Sequence, residues 1–438
     1  MHPRLIERCF TRAVTTTYYD IVIRRLETQS TIMESQKFTQ RNRFIVLSIN
    51  LLRYLALVVE LLRARSRKAQ PSDALLFYDP NPESIEKRRR HLEWNSQNAS
   101  FIGVSYRDRV CTIPNARSLL RLMWWLLVTI VGSVLFRPSL LTPNVVRIVR
   151  TCLLTLSRVN ASKDRRIYLF RIYRIETPFV AAFLKERGIR VHLVASSSPL
   201  SAHNRVLIGD RLQVCHPYQI DEFEFYRRLG TCESCELWSP ETFYKLEDRY
   251  KELVIDEHYD TIGVYSQGFS LRDQLGTLDK DFAIGAVRRE VELLEMVRIF
   301  ASGHPDVHLV IFPHPMERRH YQKRGDHQFG QLVGLPNIDI DFSSAADSTL
   351  QFDQVGLGLT LLSSIGFERI FLGCRTIFYA ADLEYVNWDI SSPFHRIFYR
   401  EQSAFVSAID ETRAMTHREF MIRFFGRFFY PSPWLARS

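Results

Sequence analysis

The sequence predicts an α/β protein built from two units, each a parallel sheet of the Rossmann type covered by helices on both faces. Two observations predict this class. From residue 74 onward short β-rich runs alternate with helical stretches, and the 438 residues exceed what one hydrophobic core usually serves. We expect the two units to face each other across a cleft, with ligands bound at the carboxyl ends of the strands.

The first predicted unit covers residues 74–257. Its β-rich runs are 74–78, 101–106, 166–172, 191–195 and 212–215. Its helical stretches are 84–94, 145–156 and 176–187, the last ended by Gly188. The polar stretch 221–257 is predicted to hold further helices and a connection to the second unit.

The second predicted unit covers residues 258–400. Its strands are predicted at 261–265, 308–312, within 352–362 and at 376–379. A long amphipathic helix is predicted over 281–301, and a shorter one over 367–372. Residues 401–438 are expected to form a helical tail.

Composition excludes several classes of protein. Hydrophobic residues make up 46% of the chain and charged residues 24%, so disordered and collagen-like chains are excluded. The odd number of cysteines, seven, argues against a disulfide framework. Cys232 and Cys235 form a CxxC without a second ligand pair nearby, which favours a surface loop over a zinc site. We expect neither a metal nor a cofactor.

The N-terminal 73 residues carry 13 basic and 6 acidic residues beside apolar runs. Residues 44–62 are interrupted by Arg53 and Glu60, and residues 122–136 are uncharged but short for a membrane span. Each run fits either a buried core helix or a helix lying in a membrane interface. No secretory signal is recognisable. We therefore expect a cytoplasmic protein peripherally associated with the inner face of the cytoplasmic membrane, and not a nucleic-acid-binding protein.

Polar residues follow several of the second unit's strands, where an α/β fold presents its binding loops. His314 lies between Pro313 and Pro315, which restrict its backbone, so its imidazole could hold an anion or serve a leaving group. A structural histidine is the alternative. The pair Gln267-Gly268 follows the 261–265 run, where a glycine permits close approach of a ligand.

Ser363 and Ser364 lie between a strand and a helix, with Gly366 beside them. Two hydroxyls and the free amides of a helix start are suited to a phosphate, although one serine could be an ordinary N-cap. Glu368, one turn further, could accept hydrogen bonds from ribose hydroxyls or only favour the helix dipole.

These residues resemble a family. VIFPHP at 310–315, followed by LLSSIGFERIFLGCRTIFY at 361–379, is similar to the donor-binding half of bacterial GT-B glycosyltransferases, specifically the sialyltransferase, polysialyltransferase and capsule Kdo-transferase groups that use CMP-activated sugars. The resemblance implies that His314, Ser363 and Ser364 bind CMP and that Glu368 contacts the ribose. It implies an inverting transfer of Kdo or a sialic-acid-like sugar to a surface polysaccharide or a lipid-linked saccharide. It also implies a GT-B-like arrangement, in which residues 74–257 form the acceptor-side unit and residues 258–400 the nucleotide-sugar-binding unit.

The catalytic base is left open, because the Asp-Gly motif that carries it in those sialyltransferases is missing from this sequence. Asp79, after the 74–78 run, is the first candidate, with Glu83 and Asp108 behind it. Alternatively Asp79 is only a turn residue before Pro80. Two rival functions also remain, namely the same fold with a UDP-sugar, GDP-sugar or CDP-glycerol donor, and a non-catalytic scaffold of a glycan-assembly complex.

Overall fold

The structure, a computed structural model, divides the chain into two compact units, residues 1–196 with 203–241, and residues 197–202 with 242–438. It describes residues 43–64, 73–96, 99–110, 120, 123–124, 126–128, 130–131, 145–172, 176–195, 207–227, 232–238, 260–276, 280–324, 329, 334–342, 352, 354–361, 363–379 and 393–427. The predicted boundary at 257 lies outside the described residues and stays a prediction.

The first unit contains a six-stranded, fully parallel sheet in the order β2-β1-β3-β4-β5-β6. Its strands are β1 (Leu75–Tyr78), β2 (Phe101–Val104), β3 (Arg166–Leu169), β4 (Arg190–Val194), β5 (Arg211–Val214) and β6 (Ser234–Leu237). Its helices are α1 (Arg43–Ala64), α2 (Ile85–Asn95), α3 (Val145–Val159), α4 (Glu176–Lys185) and α5 (Pro217–Arg227), with a 3₁₀ turn at Pro82–Ser84.

The second unit contains another six-stranded parallel sheet, in the order β12-β11-β10-β7-β8-β9. Its strands are β7 (Ile262–Tyr265), β8 (Leu309–Phe312), β9 (Ile338–Ile340), β10 (Leu357–Thr360), β11 (Thr376–Tyr379) and β12 (Phe398–Tyr399). Its helices are α6 (Phe269–Gln274), α7 (Lys280–Gly303), α8 (Pro315–Arg324), α9 (Ser364–Phe371), α10 (Gln402–Arg413) and α11 (His417–Phe425), with a 3₁₀ helix at Pro393–Ile397.

Each sheet has one place where the chain reverses the direction in which strands are added. In the first unit β2 lies on one side of β1 and β3 on the other. In the second unit β8 and β9 extend one side of β7, and β10 to β12 extend the other. Such a switch point opens a crevice at the carboxyl ends of its two strands, where open α/β sheets bind ligands. The crevices are therefore expected between β1 and β3, and between β7 and β10.

The predicted class, two Rossmann-type parallel-sheet units, is confirmed. The cleft concerns how the two units are placed and stays a prediction. Three short strands were missed, namely β6, β9 and β12, and the prediction of a loop at the CxxC is wrong because Cys235 lies in β6. Residues 402–425 pack on the second unit as α10 and α11, since the Arg375 amide donates to His417 Nδ1 at 3.1 Å.

The second sheet encloses two arginines that are inaccessible to solvent, Arg369 and Arg375. Their guanidinium groups donate to backbone carbonyls, among them Val355 O at 2.8 Å from Arg369 and Gly356 O at 3.2 Å from Arg375. A side chain at Gly358 would come within 2.7 Å of Arg369 Nε, so β10 needs glycine there. Carbonyl acceptors offset the cost of burying these charges, and join strands to the C-terminal helices.

The two apolar runs of the first half are both helical where they are described. In α1 the side chains of Leu57 and Leu61 are buried, whereas several apolar side chains on its other face are exposed. Within 122–136, Met123 and Leu126 are buried and Trp124 is 62% exposed. Among the described helices, none combines the length and the hydropathy that crossing a membrane requires.

Candidate functional site

Three loops of the second unit meet at the carboxyl edge of the adjacent strands β10, β7 and β8. They carry Gln267-Gly268 after β7, His314 after β8, and Ser363 after β10. Gln267 Nε2 donates to Thr360 Oγ1 at 3.4 Å, which links the β7 loop to the end of β10 across the switch point. The structure thus places the predicted donor-binding residues on one edge of one sheet, although they are far apart in sequence.

The His314 imidazole is a neutral hydrogen-bond donor. Burial, and then the charges of Arg272, Arg319 and Arg318, lower the pKa of His314 to about 4. Its Nδ1 accepts the Met316 amide at 3.3 Å, so the single ring proton belongs to Nε2. The ring can therefore donate from Nε2 to an anion at neutral pH.

Gly268 provides the space that the His314 side chain needs. Its backbone is left-handed, with φ of +66°, and an added Cβ would lie 3.1 Å from His314 Cβ. A side chain at this position would therefore be strained by its own backbone and would also displace the histidine. In the structure the close neighbour of this glycine is His314, and its close approach to a ligand stays a prediction.

Ser363 is the N-cap of α9, and its hydroxyl accepts the Ile365 amide at 3.4 Å. Ser364 is the first helical residue and is exposed. Gly366 serves packing, because a Cβ there would come within 2.8 Å of the Phe378 ring. Glu368, one turn into the helix, is half-buried. The ordinary capping function of Ser363 is present, and Ser364 remains accessible to a ligand.

The edge is electropositive. Arg318 is buried and donates from Nε to Pro313 O at 2.9 Å, and exposed Arg319 donates to Pro315 O at 3.2 Å. Pro315 is the first residue of α8, where its fixed φ favours helix initiation. Three arginines, two helix starts and a neutral histidine make this edge suited to a phosphate-bearing ligand.

Two buried carboxyl groups hold these loops by accepting hydrogen bonds from backbone amides. The sequence analysis did not identify either of them. Glu290 accepts the amides of Gln267 at 2.9 Å and Ser270 at 3.1 Å, whereas Glu317 accepts the His314 amide at 2.8 Å. Only the solvent-inaccessible positions of Glu290 and Glu317 distinguish them from surface glutamates, because both occur in charge-rich helical sequence. No signal in the sequence pattern would have found them.

The two carboxyl groups share the Ser266 hydroxyl, which lies 3.0 Å from Glu290 Oε1 and 2.6 Å from Glu317 Oε2. A hydroxyl has one proton, so two such contacts require a second proton from a carboxyl group. Burial, and then the charge of Glu290, raise the pKa of Glu317 to about 8. Glu317 therefore holds that proton at neutral pH, and the pair fixes the β7 and β8 loops relative to each other.

At the first unit's switch point, the charged side chains form ion pairs with one another. Asp79, at the end of β1, is fully buried and accepts Arg88 Nε and Arg171 Nε, each at 3.0 Å, and the Asn81 amide at 2.7 Å. Arg171, just after β3, has a left-handed backbone with φ of 55°, which costs a residue with a Cβ about 1–2 kcal/mol. The geometry suits Asp79 to positioning the two arginines, and its function as a base stays a prediction.

The two alternative bases have different surroundings. Glu83 is exposed in the 3₁₀ turn that follows β1. Asp108 is half-buried, and its Oδ2 accepts the Ser105 amide at 2.7 Å and the Ser105 hydroxyl at 3.1 Å. Of the three carboxylates, Glu83 is the most exposed and Asp79 is fully buried.

Neither cysteine of the CxxC forms a disulfide. Burial raises the pKa of Cys232 to about 12, and its thiol donates to Ser234 O at 3.6 Å. Among the described residues, no group of three or more His, Cys, Asp or Glu side chains could hold a metal ion.

Comparisons with known proteins give matches to solved structures alone. No protein-family model and no curated protein sequence matches the chain. The wall teichoic acid polymerase TagF matches with a TM-score of 0.41 and 12% identity, over 88% of this chain and 93% of that one. The UDP-GlcNAc 2-epimerase of Methanocaldococcus jannaschii matches with a TM-score of 0.43 and 11% identity, over 78% and 93%. S. aureus MnaA with UDP gives 0.43 and 11%, over 78% and 88%. Scores at this level supply no argument about activity, and the fold assignment rests on the two sheets themselves.

Proposed function

We propose that this protein is a glycosyltransferase that transfers a sugar, Kdo or a sialic-acid-like sugar, from a CMP-activated donor. The acceptor is a surface polysaccharide or a lipid-linked saccharide. The observation that carries the proposal is the convergence of Gln267-Gly268, His314 and Ser363-Ser364 at the β7/β10 switch point. That is the place where doubly wound sheets bind nucleotides.

The charges of this edge favour a phosphate ligand. His314 Nε2–H, the Ser364 hydroxyl and the first amides of α9 are donors without a formal charge, and Arg272 and Arg319 add positive charge nearby. When the bond from the anomeric carbon to the CMP phosphate breaks, negative charge accumulates on the phosphate oxygens. Donors fixed in advance stabilise that charge, and hence departure of CMP, without a metal.

The remaining donor-side residues position the nucleotide. Pro315 begins α8 directly after His314 and fixes the direction of the loop. Glu368, half-buried in α9, accepts the ribose hydroxyls, as the family resemblance implies. Gln267 contacts the nucleotide from the β7 loop.

The base belongs to the first unit in this proposal. It takes the proton of the acceptor hydroxyl while that oxygen attacks the anomeric carbon, so configuration inverts in one displacement. Asp79 was the first candidate from the sequence, but both of its oxygens already accept charged hydrogen bonds. Exposed Glu83, four residues further, is therefore the better candidate.

Nucleotide binding to the purified full chain, measured by calorimetry with CMP, CDP, UMP and GDP, tests the donor site. We expect CMP to bind best, and His314→Ala and Ser364→Ala each to weaken it about 10- to 100-fold, because each removes a hydrogen bond to a charged group. His308→Ala is the matched control, since His308 is an exposed histidine at the opposite end of the same strand. Ser403→Ala, in the exposed first turn of α10, is the control for Ser364.

The outcomes separate the alternatives. Preference for UMP, GDP or CDP would keep the fold and overturn the CMP assignment. Absence of binding to all four nucleotides would favour the non-catalytic scaffold. Equal losses in the variants and their controls would show that the substitutions act through folding and not through the site.

The protein is further proposed to lie at the inner face of the cytoplasmic membrane, where lipid-linked acceptors are made. The support for this part is the basic N-terminal region and the exposed apolar side chains of α1. Deleting residues 1–70 would test it poorly, because the buried face of α1 packs against α3 and its loss would expose the core. Substitutions confined to exposed side chains are the better test.

A further inference from the structure

Helix α1 has apolar residues on two faces. Leu57, Leu61 and Ala64 are buried against the first unit. The opposite face carries an exposed row that we call the α1 stripe, whose five side chains are 45–67% exposed: Ile45, Leu52, Leu55, Val59 and Leu62. A surface helix normally presents polar residues to water, so a contiguous apolar row indicates that this face meets something apolar.

A cavity of about 460 Å³ adjoins the stripe and shares Leu55 and Val59 with it. Its remaining lining includes Arg63 of α1, Arg107 and Arg109 of the loop after β2, and Arg150 of α3. An apolar wall and several guanidinium groups in one cavity fit a ligand that is both anionic and apolar.

Glu60, the one acidic group among the described lining residues, forms an ion pair with Arg150. Arg150 contacts both of its oxygens, at 2.7 and 3.0 Å, and also donates to Tyr106 O and Asp108 O at 2.8 and 2.7 Å. This arrangement ties the loop after β2 to α1. Among the charged lining residues that the structure describes, four are arginines, namely Arg63, Arg107, Arg109 and Arg150, and one is a glutamate, so this part of the lining has a positive formal charge.

We propose that this cavity binds the phosphate of an anionic phospholipid while the α1 stripe rests in the apolar layer of the bilayer. A phospholipid fits both features, because its phosphate complements the charge of the arginines and its acyl layer meets the α1 stripe. A soluble anion would need the arginines but not the exposed leucines. The inference deepens the membrane association proposed above and does not depend on the donor nucleotide.

Sedimentation of the full-length protein with vesicles tests the cavity. Vesicles of phosphatidylcholine alone are compared with an equal mixture of phosphatidylcholine and phosphatidylglycerol. We expect binding to the mixed vesicles, weakened by salt, and weakened about fivefold by each of Arg107→Ala and Arg109→Ala. Leu52→Ser with Leu55→Ser should weaken it at least about fivefold, because apolar side chains are withdrawn from the apolar layer.

Matched controls come from α7 of the second unit, where Val291 is exposed to a similar degree and Arg288 is also exposed. Val291→Ser and Arg288→Ala should leave vesicle binding unchanged, and circular dichroism should show that all variants are folded.

Three results would overturn the proposal. Equal binding to neutral and mixed vesicles would remove the headgroup contact. Competition by millimolar inorganic phosphate, with no effect of the leucine substitutions, would show a site for a soluble anion. Failure to bind either kind of vesicle would indicate that the α1 stripe contacts a protein partner and not a membrane. Calorimetry with CMP on the same variants keeps this outcome separate from the transferase proposal, since both can succeed or fail independently.

Discussion

The two switch points of this protein differ in the residues that occupy them: one has charged side chains, and the other has mostly uncharged hydrogen-bonding groups. Between β1 and β3, Asp79, Arg88 and Arg171 are paired with one another and close the edge. Between β7 and β10, glycine, serine, glutamine and a neutral histidine leave donors available, and the charged groups lie below or around them. The β1/β3 edge, which we call the closed edge, is rigid because its charged groups are paired with one another. The β7/β10 edge, which we call the open edge, presents hydrogen-bond donors and can therefore bind a ligand.

The largest effect is expected from breaking the closed edge. Asp79→Asn removes the negative charge between Arg88 and Arg171, and we expect a loss of about 3–5 kcal/mol in the free energy of unfolding, as for other buried ion pairs that lose one partner. Glu83→Gln, four residues away and exposed, should leave stability within about 0.5 kcal/mol of wild type. Urea denaturation measures both.

The same pair of variants distinguishes the two candidate bases. If Glu83 is the base, Glu83→Gln lowers kcat for sugar transfer by about 10²–10⁴ while CMP binding is retained. If Asp79→Asn is instead stable and well folded and loses more kcat than Glu83→Gln, Asp79 is the base. The two edges would then not differ in the way described above.

A smaller and pH-dependent effect is expected from Glu317 beneath the open edge. Its pKa rises from about 4.5 to about 8 on folding, so the folded state binds the extra proton between these values. The stability that this proton provides is complete below about pH 4.5 and is lost as the pH rises to about 8. The stability of Glu317→Gln relative to wild type should therefore increase as the pH rises through this window.

Denaturant titrations at several pH values measure that slope. Glu295→Gln is the control, since Glu295 is an exposed carboxylate of α7 whose pKa is lowered by its hydrogen bond to Arg298. A difference between Glu317→Gln and wild type that stays constant with pH would show that Glu290 and Glu317 do not share a proton in the folded protein.

The smallest effect on stability is expected from Gly268→Ala, and it sharpens the assignment of the open edge. Gly268 and Gly276 both have left-handed backbones, with φ of +66° and +62°, so alanine should cost each about 1–2 kcal/mol. A Cβ at Gly276 meets nothing within 4 Å, whereas one at Gly268 meets His314. Only Gly268→Ala should also weaken CMP binding, about tenfold by calorimetry; equal affinities in the two variants would place the nucleotide elsewhere.

Local sequence was sufficient for much of the fold. The apolar runs at 74–78 and 308–312 contain β1 and β8 because consecutive apolar and β-branched residues suit a strand buried on both faces. β9 and β12 were missed because three- and two-residue strands leave no pattern to read. For the site, the position after a strand was enough to select His314 and Ser363, since parallel strands end at the same edge.

What the sequence by itself determined is therefore the class of the fold and the residue types at its binding edge. The tertiary structure alone decided which groups face one another. Asp79 meets Arg171 across 92 residues, and Ser266 meets Glu317 across 51. These contacts depend on strand order, which no local period encodes, because periodicity specifies the face that a residue occupies and not the strand that lies beside it.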